Sequence, residues 1–388
     1  MNKTLSRLSI ISVLLALTVV VLGAFTRLAD AGLGCPDWPT CYGHLWVPTS
    51  DSDVAIANEK FVDTPVEHHK TWPEQLHRII ASSLGLLILA IFFYAYRGAE
   101  EKQPKGSVLI LLIVLVAGTI ARIAIGDDMD FYLWLLVGAY FLNLARLAAR
   151  AKIGSASFKL PALIAGLVIL QGFFGMWTVT LNLWPQVVTL HLLGGFSTLS
   201  LLWLLFQRVA GLHWYADANA VISFMRLRPI AWLALVAVII QIALGGWVSS
   251  NYAALACPDF PLCQNSLWPE ASFADGFNFL QDIGPNYLGG QLDNIARVAI
   301  HLSHRIGAIF VLCIIGLFAY RLWCSGYPQA RNFTVVLLAV LALQITLGIL
   351  NVVMSLPLFI AVVHNAVGAI LLMTVITINH RIHTVKTI

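Results

Sequence analysis

Four histidines lie within apolar stretches of the sequence, and they form two matched pairs. His77 lies in WPEQLHRIIA and His304 in IHLSHRIGA, each at the start of an apolar stretch. His191 and His364 lie in later apolar stretches, within TLH and VVH. Ionisable side chains are costly in a membrane span, so they are functional candidates by default. Two pairs at repeated positions indicate ligation of a metal or a haem iron, rather than four separate hydrogen bonds to neighbouring carbonyls.

Haem explains these pairs better than a small metal ion does. Two imidazoles from facing helices are a common axial pair for haem iron, and bundle cores are where cofactor sites are built. Zinc or copper would need a further ligand at the same depth, and the sequence offers none. Glycines near the histidines leave room for a flat ring, although small residues also serve ordinary packing of membrane helices. These glycines are Gly194, Gly195, Gly307 and Gly368.

Charged residues beside the first histidines differ between the two pairs. Arg78 and Arg305 each follow a histidine, where a guanidinium can pair with haem propionates or extend to lipid headgroups. Glu74 precedes His77 by three residues, on one helical face, and the matched position in the second half holds His301. A carboxylate beside one pair predicts acid–base or cation-stabilising chemistry there and electron transfer at the other. The alternative is that Glu74 only complements the helix dipole.

Four of the six cysteines occur in two similar loops, CPDWPTC and CPDFPLC. Their short spacing and two prolines can bring Cys35 to Cys41, and Cys257 to Cys263, at an oxidising outer face. We expect a disulfide in each loop, over the outer end of a haem pocket. A redox-active pair is the alternative.

Composition places this chain in a membrane. Of its 388 residues 59% are hydrophobic and only 11% are charged, with a mean hydropathy of +0.83. A water-soluble surface needs far more charge, so a soluble globular protein is excluded. The first apolar stretch has a counterpart deep in the chain, so we do not interpret it as a signal peptide. About ten transmembrane helices are predicted, at 8–27, 76–96, 107–125, 131–148, 159–181, 186–206, 229–249, 299–320, 333–354 and 358–379.

The distribution of Lys and Arg predicts the orientation of the spans. The short connections that would lie inside carry most of the 23 Lys and Arg, as the positive-inside rule requires. Both termini are then cytoplasmic, and the two long polar loops, about 28–75 and 250–298, are periplasmic. The absence of an Arg- and Ser-rich presequence favours the inner membrane of a bacterium over a mitochondrion.

Internal repeats predict the domain organisation. Matched blocks are LGAFTRLADAGLGCPDWPTC with LGGWVSSNYAALACPDFPLC, LHRIIA with SHRIGA, LQGFFGM with LQITLGI, and TLH with VVH. The number of residues that separate matched positions is smaller for the third pair of blocks than for the second. The first half therefore contains an insertion, and this insertion holds two extra spans. We predict an all-α membrane protein of two homologous four-helix bundles in tandem. The first half is 1–210, with an inserted two-helix hairpin at about 104–150, and the second is 211–388.

These motifs together resemble the bacterial type of the haem A synthase family. The likeness rests on GLGCPDWPTC, EQLHR, LWPQVVTLHLLGG, HLSHR and VVHNAVGA. It covers nearly the whole chain except the hairpin, which the usual eight-helix pattern of that family lacks. The resemblance implies an enzyme that oxidises a methyl group of haem O to a formyl group by successive hydroxylations, with the second oxygen lost as water.

The resemblance also implies roles for residues of this chain. His304 and His364 would ligate a resident haem b, and His77 and His191 would hold the haem O substrate. Glu74 would lie near the oxidised methyl group, where it stabilises a cationic intermediate or positions water. The Cys35–Cys41 disulfide would transfer reducing equivalents or hold the site.

The implied partners are haem O, a haem O synthase, an electron donor and the lipid bilayer, with no nucleic acid; a homo-oligomer is allowed. A non-catalytic di-haem electron carrier is the alternative function, and Glu74 in one half alone favours the enzyme. A transporter fits less well, because the repeats share one orientation and no broken helices are evident.

Overall fold

The computed structural model describes residues 3–99, 106–125, 130–149 and 158–388, and it is mainly helical. Its helices are α1 Lys3–Leu28, α2 Asp51–Lys60, α3 His68–Arg97, α4 Gly106–Ile125, α5 Asp130–Ala149, α6 Lys159–Thr180, α7 Pro185–Val209, α8 Ala218–Ser250, α9 Phe273–Gly276, α10 Asn294–Trp323, α11 Pro328–Val353 and α12 Leu358–His383. Two short strands, β1 Tyr215–Ala216 and β2 Lys386–Thr387, pair in parallel.

Ten of these helices match the ten predicted spans. Within the described ranges, eight are long and apolar enough to cross a membrane, and the apolar parts of α4 and α5 are shorter, at Gly106–Ala121 and Tyr132–Leu147. The prediction of an all-α integral membrane protein is therefore confirmed. The turn of the hairpin and the two basic connections around it, at 126–129, 100–105 and 150–157, lie outside the described residues.

The long helices pack as two groups of four. In the first group α1 contacts α3 and α7, and α6 contacts the same two helices; in the second, α8 and α11 each contact both α10 and α12. The groups meet where α1 packs on α12, α7 on α8 and α7 on α12. In the repeats α1 corresponds to α8 and α7 to α12. The contact of α1 with α12 is therefore equivalent to that of α8 with α7, as expected if a two-fold axis relates the two groups.

The hairpin of α4 and α5 lies outside the first group and packs mainly on α6. The Tyr140 hydroxyl donates to the Ala162 carbonyl at 2.8 Å, and the ring of Trp134 stacks on Trp177 at 5.2 Å between centroids. Tyr140 also lies against Gly166, where a Cβ atom would come within 2.4 Å of the ring. A side chain at that position would push the hairpin away from α6.

The two cysteine loops have the same internal structure. Both disulfides are formed, Cys35–Cys41 and Cys257–Cys263, as predicted. In each loop an aspartate accepts hydrogen bonds from two backbone N–H groups just past the second cysteine, Asp37 from Tyr42 and Gly43, and Asp259 from Gln264 and Asn265. The N–H of Asn265, supported by that of Gln264, holds the pKa of Asp259 below its usual value. These aspartates keep the loops compact. We call the end of the bundle that carries both loops the disulfide end.

The second long loop also covers the first group. Its backbone carbonyls at Gln281 and Phe279 accept hydrogen bonds from the side chains of Trp184 and Gln186, and the Tyr287 N–H donates to Asn182. These partners lie at the turn between α6 and α7. The disulfide end of the first group is thus completed by residues of the second half.

Candidate functional site

His77 and His191 face one another inside the first four-helix group. Their ring centroids are 6.4 Å apart and the ring planes are nearly perpendicular, at 84°. His77 comes from α3 and His191 from α7, and the Nδ1 atom of His191 is buried without a hydrogen-bond partner among the described residues. An unpaired buried polar atom is costly, and the described residues supply no partner for this one.

The spacing of these rings suits one metal ion between them. Two metal–nitrogen bonds of about 2 Å, with roughly 1 Å from each nitrogen to its ring centre, give a centroid separation of about 6 to 6.5 Å. The observed 6.4 Å falls in this range. Among the described residues no group of three or more His, Cys, Asp or Glu could hold a metal ion. The distance between the rings is thus compatible with two imidazole ligands on one metal ion.

The second group places His304 on α10 and His364 on α12, each beside a glutamine. The Gln241 amide nitrogen is 3.1 Å from His304 Nδ1, and that of Gln344 is 3.3 Å from His364 Nε2. The amide oxygens of both glutamines are buried without a partner within the described part of the chain. Each amide nitrogen can only donate, so the ring nitrogen that it faces accepts, and the Gln241 amide nitrogen also donates to the backbone carbonyl of His304 at 2.9 Å.

A glycine on a neighbouring helix lies against each of the four rings. A Cβ added at Gly23 would lie 2.9 Å from the His77 ring, and one at Gly175, Gly245 or Gly348 would lie 3.1 to 3.3 Å from the ring of His191, His304 or His364. Contacts this short leave no room for a side chain. The four rings therefore lie directly against the backbones of α1, α6, α8 and α11.

The four glycines named in the sequence analysis have other neighbours. Gly194, Gly307 and Gly368 face the side chains of Gln171, Gln241 and Gln344, and nothing lies close to the position of a Cβ at Gly195. The expectation that these glycines leave room for a flat ring beside the histidines stays a prediction. The glycines that do contact the histidines were present in the matched blocks, in LGAF, LGGW, LQGFFGM and LQITLGI.

Glu74 is buried and bonded to Arg78. Its side chain is 9% exposed, and its Oε1 atom accepts from Arg78 Nε at 3.0 Å. Because α3 begins at His68, earlier than predicted, Glu74 lies more than one turn inside the helix and is not in its first turn. The alternative role as a first-turn dipole charge is therefore excluded. Glu74 remains one helical turn from His77, as expected.

Both arginines bind the cysteine loops. Arg78 donates from Nη1 to the carbonyls of Asp37 and Thr40, each at 2.8 Å. Arg305 donates to the carbonyls of Leu262, Cys257 and Asp259 at 2.7 to 2.9 Å. These contacts hold each loop over its histidine pair. The expected contact of these arginines with propionates stays a prediction.

The two arginines differ in their acidic partner. Position 301 holds histidine where the first half has Glu74, and His301 Nδ1 lies 3.0 Å from the Ala253 carbonyl. The Nε atom of Arg305 is consequently buried without a partner in the described structure, whereas that of Arg78 is bonded to Glu74. Only the first site therefore combines a histidine pair with a carboxylate.

Comparison with known families gives a match over most of the chain. Residues 6–123 and 132–376 match the family COX15-CtaA, described as cytochrome oxidase assembly protein. The matched residues include most of α4 and α5, so the hairpin is not a departure from the family, contrary to expectation.

Curated relatives match over nearly their full length. A heme A synthase of Shewanella oneidensis is 41% identical over 370 residues, which cover 95% of this chain and 94% of the relative. A heme A synthase of Sphingopyxis alaskensis is 26% identical over 378 residues, covering 95% and 89%. One of Flavobacterium psychrophilum is 25% identical over 379 residues, covering 95% and 94%.

Proposed function

The chain belongs to the COX15-CtaA family of cytochrome oxidase assembly proteins, and from this premise we propose that it is a haem A synthase. It would be a multi-pass membrane oxidoreductase that oxidises a methyl group of haem O to the formyl group of haem A. The relatives named heme A synthase, at up to 41% identity over nearly the whole chain, support this activity.

The substrate site in this proposal is the first histidine pair. His77 and His191 would hold the iron of haem O, with their rings on opposite faces of the macrocycle. The observation that carries the assignment is the buried Glu74 carboxylate, one turn from His77 and fixed by Arg78. A carboxylate there can stabilise positive charge or position water at the methyl group that is oxidised.

The second pair, His304 and His364, would ligate a resident haem b. Haem b, when bound, supplies one-electron redox chemistry. The role of the chain there is to hold the two rings against Gly245 and Gly348 and to offer the Gln241 and Gln344 amides to them. The second site has His301 in place of the acid, which supports electron transfer rather than substrate chemistry.

The proposed setting is the inner membrane of a bacterium. Both termini would be cytoplasmic, and the disulfide end would be periplasmic, where thiols are oxidised. The halves 1–210 and 211–388 would each carry one site. A haem O synthase would deliver the substrate, and a separate donor would supply electrons.

Pigment extraction tests the function. The full chain, produced together with a haem O supply, should yield haem A or hydroxylated haem O, and the purified protein should contain haem b. Haem b alone, with haem O unchanged, would instead identify a non-catalytic di-haem electron carrier and refute the synthase assignment.

A further inference from the structure

A groove lies between the two four-helix groups, at the end of the bundle opposite the disulfide loops. It is formed by α7, α8 and α12 and has a volume of about 400 Å³. Along α7 it extends from Leu193 to Arg208, which corresponds to about 22 Å of helix rise. Most of its lining is apolar, and its polar residues gather at one end. We call it the basic groove and define it by Leu193, Leu204, Arg208, Asn379 and His380.

Polar atoms at this end of the groove lack partners. Asn379 and His380 are each only 6% exposed, yet the Oδ1 atom of Asn379 and the Nε2 atom of His380 have no hydrogen-bond partner among the described residues. Buried polar atoms are rarely left unpaired, since each costs about 1–3 kcal/mol. Two such atoms on adjacent residues, both lining one groove, indicate a ligand with a polar head.

Within the described part of the chain, the charge at this end is positive and has no acidic partner. Arg208 lines the groove and forms none of the four salt bridges found in the described structure. The nearest acid along the chain, Asp217, accepts instead from the Ala220 N–H at the start of α8. A guanidinium without an acidic partner recognises an anion, and phosphate suits its geometry, whereas the unpaired Asn379 Oδ1 atom can only accept and needs a donor such as a hydroxyl group.

The neighbouring His383 does not add charge. Its Nε2 atom accepts from the Trp232 indole N–H at 3.0 Å, because an indole nitrogen can only donate. Its Nδ1 atom therefore carries the proton and donates to the Asn379 carbonyl at 2.9 Å. The ring is neutral in this arrangement, and Arg208 is left as the principal cation of the groove.

We propose that the basic groove binds an anionic phospholipid with a hydroxylated head, with its phosphate at Arg208, its hydroxyl groups donating to Asn379 Oδ1 and His380 Nε2, and one acyl chain along α7. The apolar length of the groove exceeds one leaflet of the hydrocarbon core, which is about 15 Å, so an acyl chain fits within it. Basic pockets between membrane helices are known to suit anionic headgroups.

A redox carrier fits this groove less well than a lipid. His380 and His364 lie on the same helix, α12, and the helix rise between them is about 24 Å. A quinone head bound at His380 would thus lie far from any iron held by His364. A neutral quinone would also leave Arg208 without a counter-charge. The ligand of this groove is accordingly a stabilising lipid that joins the two groups.

Native mass spectrometry of the purified full chain tests the proposal. The probes are dioleoylphosphatidylglycerol and dioleoylphosphatidylcholine, with inorganic phosphate as a third. The unmodified chain should bind one phosphatidylglycerol in preference to phosphatidylcholine. Arg208→Gln should weaken this binding about tenfold or more, as expected for loss of a charged hydrogen bond, and Arg208→Lys should restore part of it. Arg226→Gln is the matched control, since Arg226 is exposed and does not line the groove.

A second variant separates binding from folding. Leu204→Trp fills the groove without changing its charge and should reduce phosphatidylglycerol binding while the haem content stays normal. Equal binding of the two lipids by the unmodified chain, or unchanged binding in Arg208→Gln, would overturn the proposal. So would a quinone recovered in place of phospholipid, or competition by inorganic phosphate at equal concentration.

Discussion

Arg27 donates a hydrogen bond to the backbone carbonyl of Ser249, and the two residues occupy the same position in the two repeats, 222 residues apart. A second pair of matched residues is also hydrogen-bonded, since the Tyr252 hydroxyl donates to Asp30 across the same separation. Residues at equivalent repeat positions can touch only near the axis that relates the repeats. That axis therefore passes between α1 and α8 at the disulfide end, and the Arg27 guanidinium, 4.1 Å from the Tyr252 ring, lies beside it.

Substitution of Glu74 should separate catalysis from cofactor binding. We expect Glu74→Gln to lower haem A formation by roughly 10²-fold or more, because the amide cannot carry the carboxylate charge. Haem b content should not change, since Glu74 lies in the first group. The measurement is haem A per chain after co-expression with a haem O supply. Glu67→Gln is the control, because Glu67 is exposed and pairs with Lys70. Undiminished haem A in Glu74→Gln would remove this residue from the proposed mechanism.

Loss of either second-site histidine should remove haem b. His304→Ala and His364→Ala each delete one of the two axial nitrogens of the proposed site, so the purified protein should lack the spectrum of a six-coordinate haem b. His383→Ala should keep it, because His383 lies at the opposite end of α12 and bonds Trp232. Normal haem b content in both ligand variants would refute the assignment.

The two arginines should differ in their effects on stability and activity. Arg78→Gln leaves Glu74 as a buried charge without its partner, which costs about 3–5 kcal/mol, and it should also stop oxidation. Arg305→Gln breaks only bonds to loop carbonyls and should cost about 1–3 kcal/mol, with haem b retained. Thermal unfolding in detergent and haem A yield are the two measurements. Equal loss of stability in both variants would argue that the Glu74–Arg78 pair contributes nothing beyond holding the loop.

Filling the space beside His77 should disturb substrate binding. In Gly23→Ala the new methyl group would lie 2.9 Å from the ring, so His77 must move. We expect weaker binding of haem O, measured by titration of the purified protein, with haem b unaffected. Gly85→Ala is the control, as its Cβ would meet Val168 at an ordinary 3.9 Å. Identical affinity in the two variants would mean that the His77 ring is not confined as described.

The long helices were predictable because their stabilising feature is a run of about 20 apolar residues, which is local in sequence. Their ends were less predictable. The helix α3 begins at His68 and α8 at Ala218, both ahead of the predicted apolar cores, because polar residues extend a helix beyond the membrane without an apolar signal. The pairing of β1 with β2 joins distant segments, so the sequence does not predict it, whereas the short helices α2 and α9 each begin at a local N-cap, Ser50 and Ser272.

The site residues that occur at matched positions of the two repeats can be predicted from the sequence. The four histidines lie in matched blocks and Glu74 lies two residues before one of them, whereas Gln344 lies within a block and Gln241 three residues before one without any pattern that marks them as site residues. Which glycine faces which ring depends on the rotation of each helix about its axis, and a sequence without an alignment does not give that angle. The same holds for the arginines, whose loop partners lie about 40 residues away in sequence.

The second long loop covers the turn between α6 and α7. This contact can form only late in biosynthesis. The bonds from Trp184 and Gln186 reach residues that the ribosome adds 97 and 93 positions later. During translation the mouth of the first group at the disulfide end therefore stays open until the later loop has been made and can cover it. A ligand that enters the first group before this loop covers it would not require the finished protein to open.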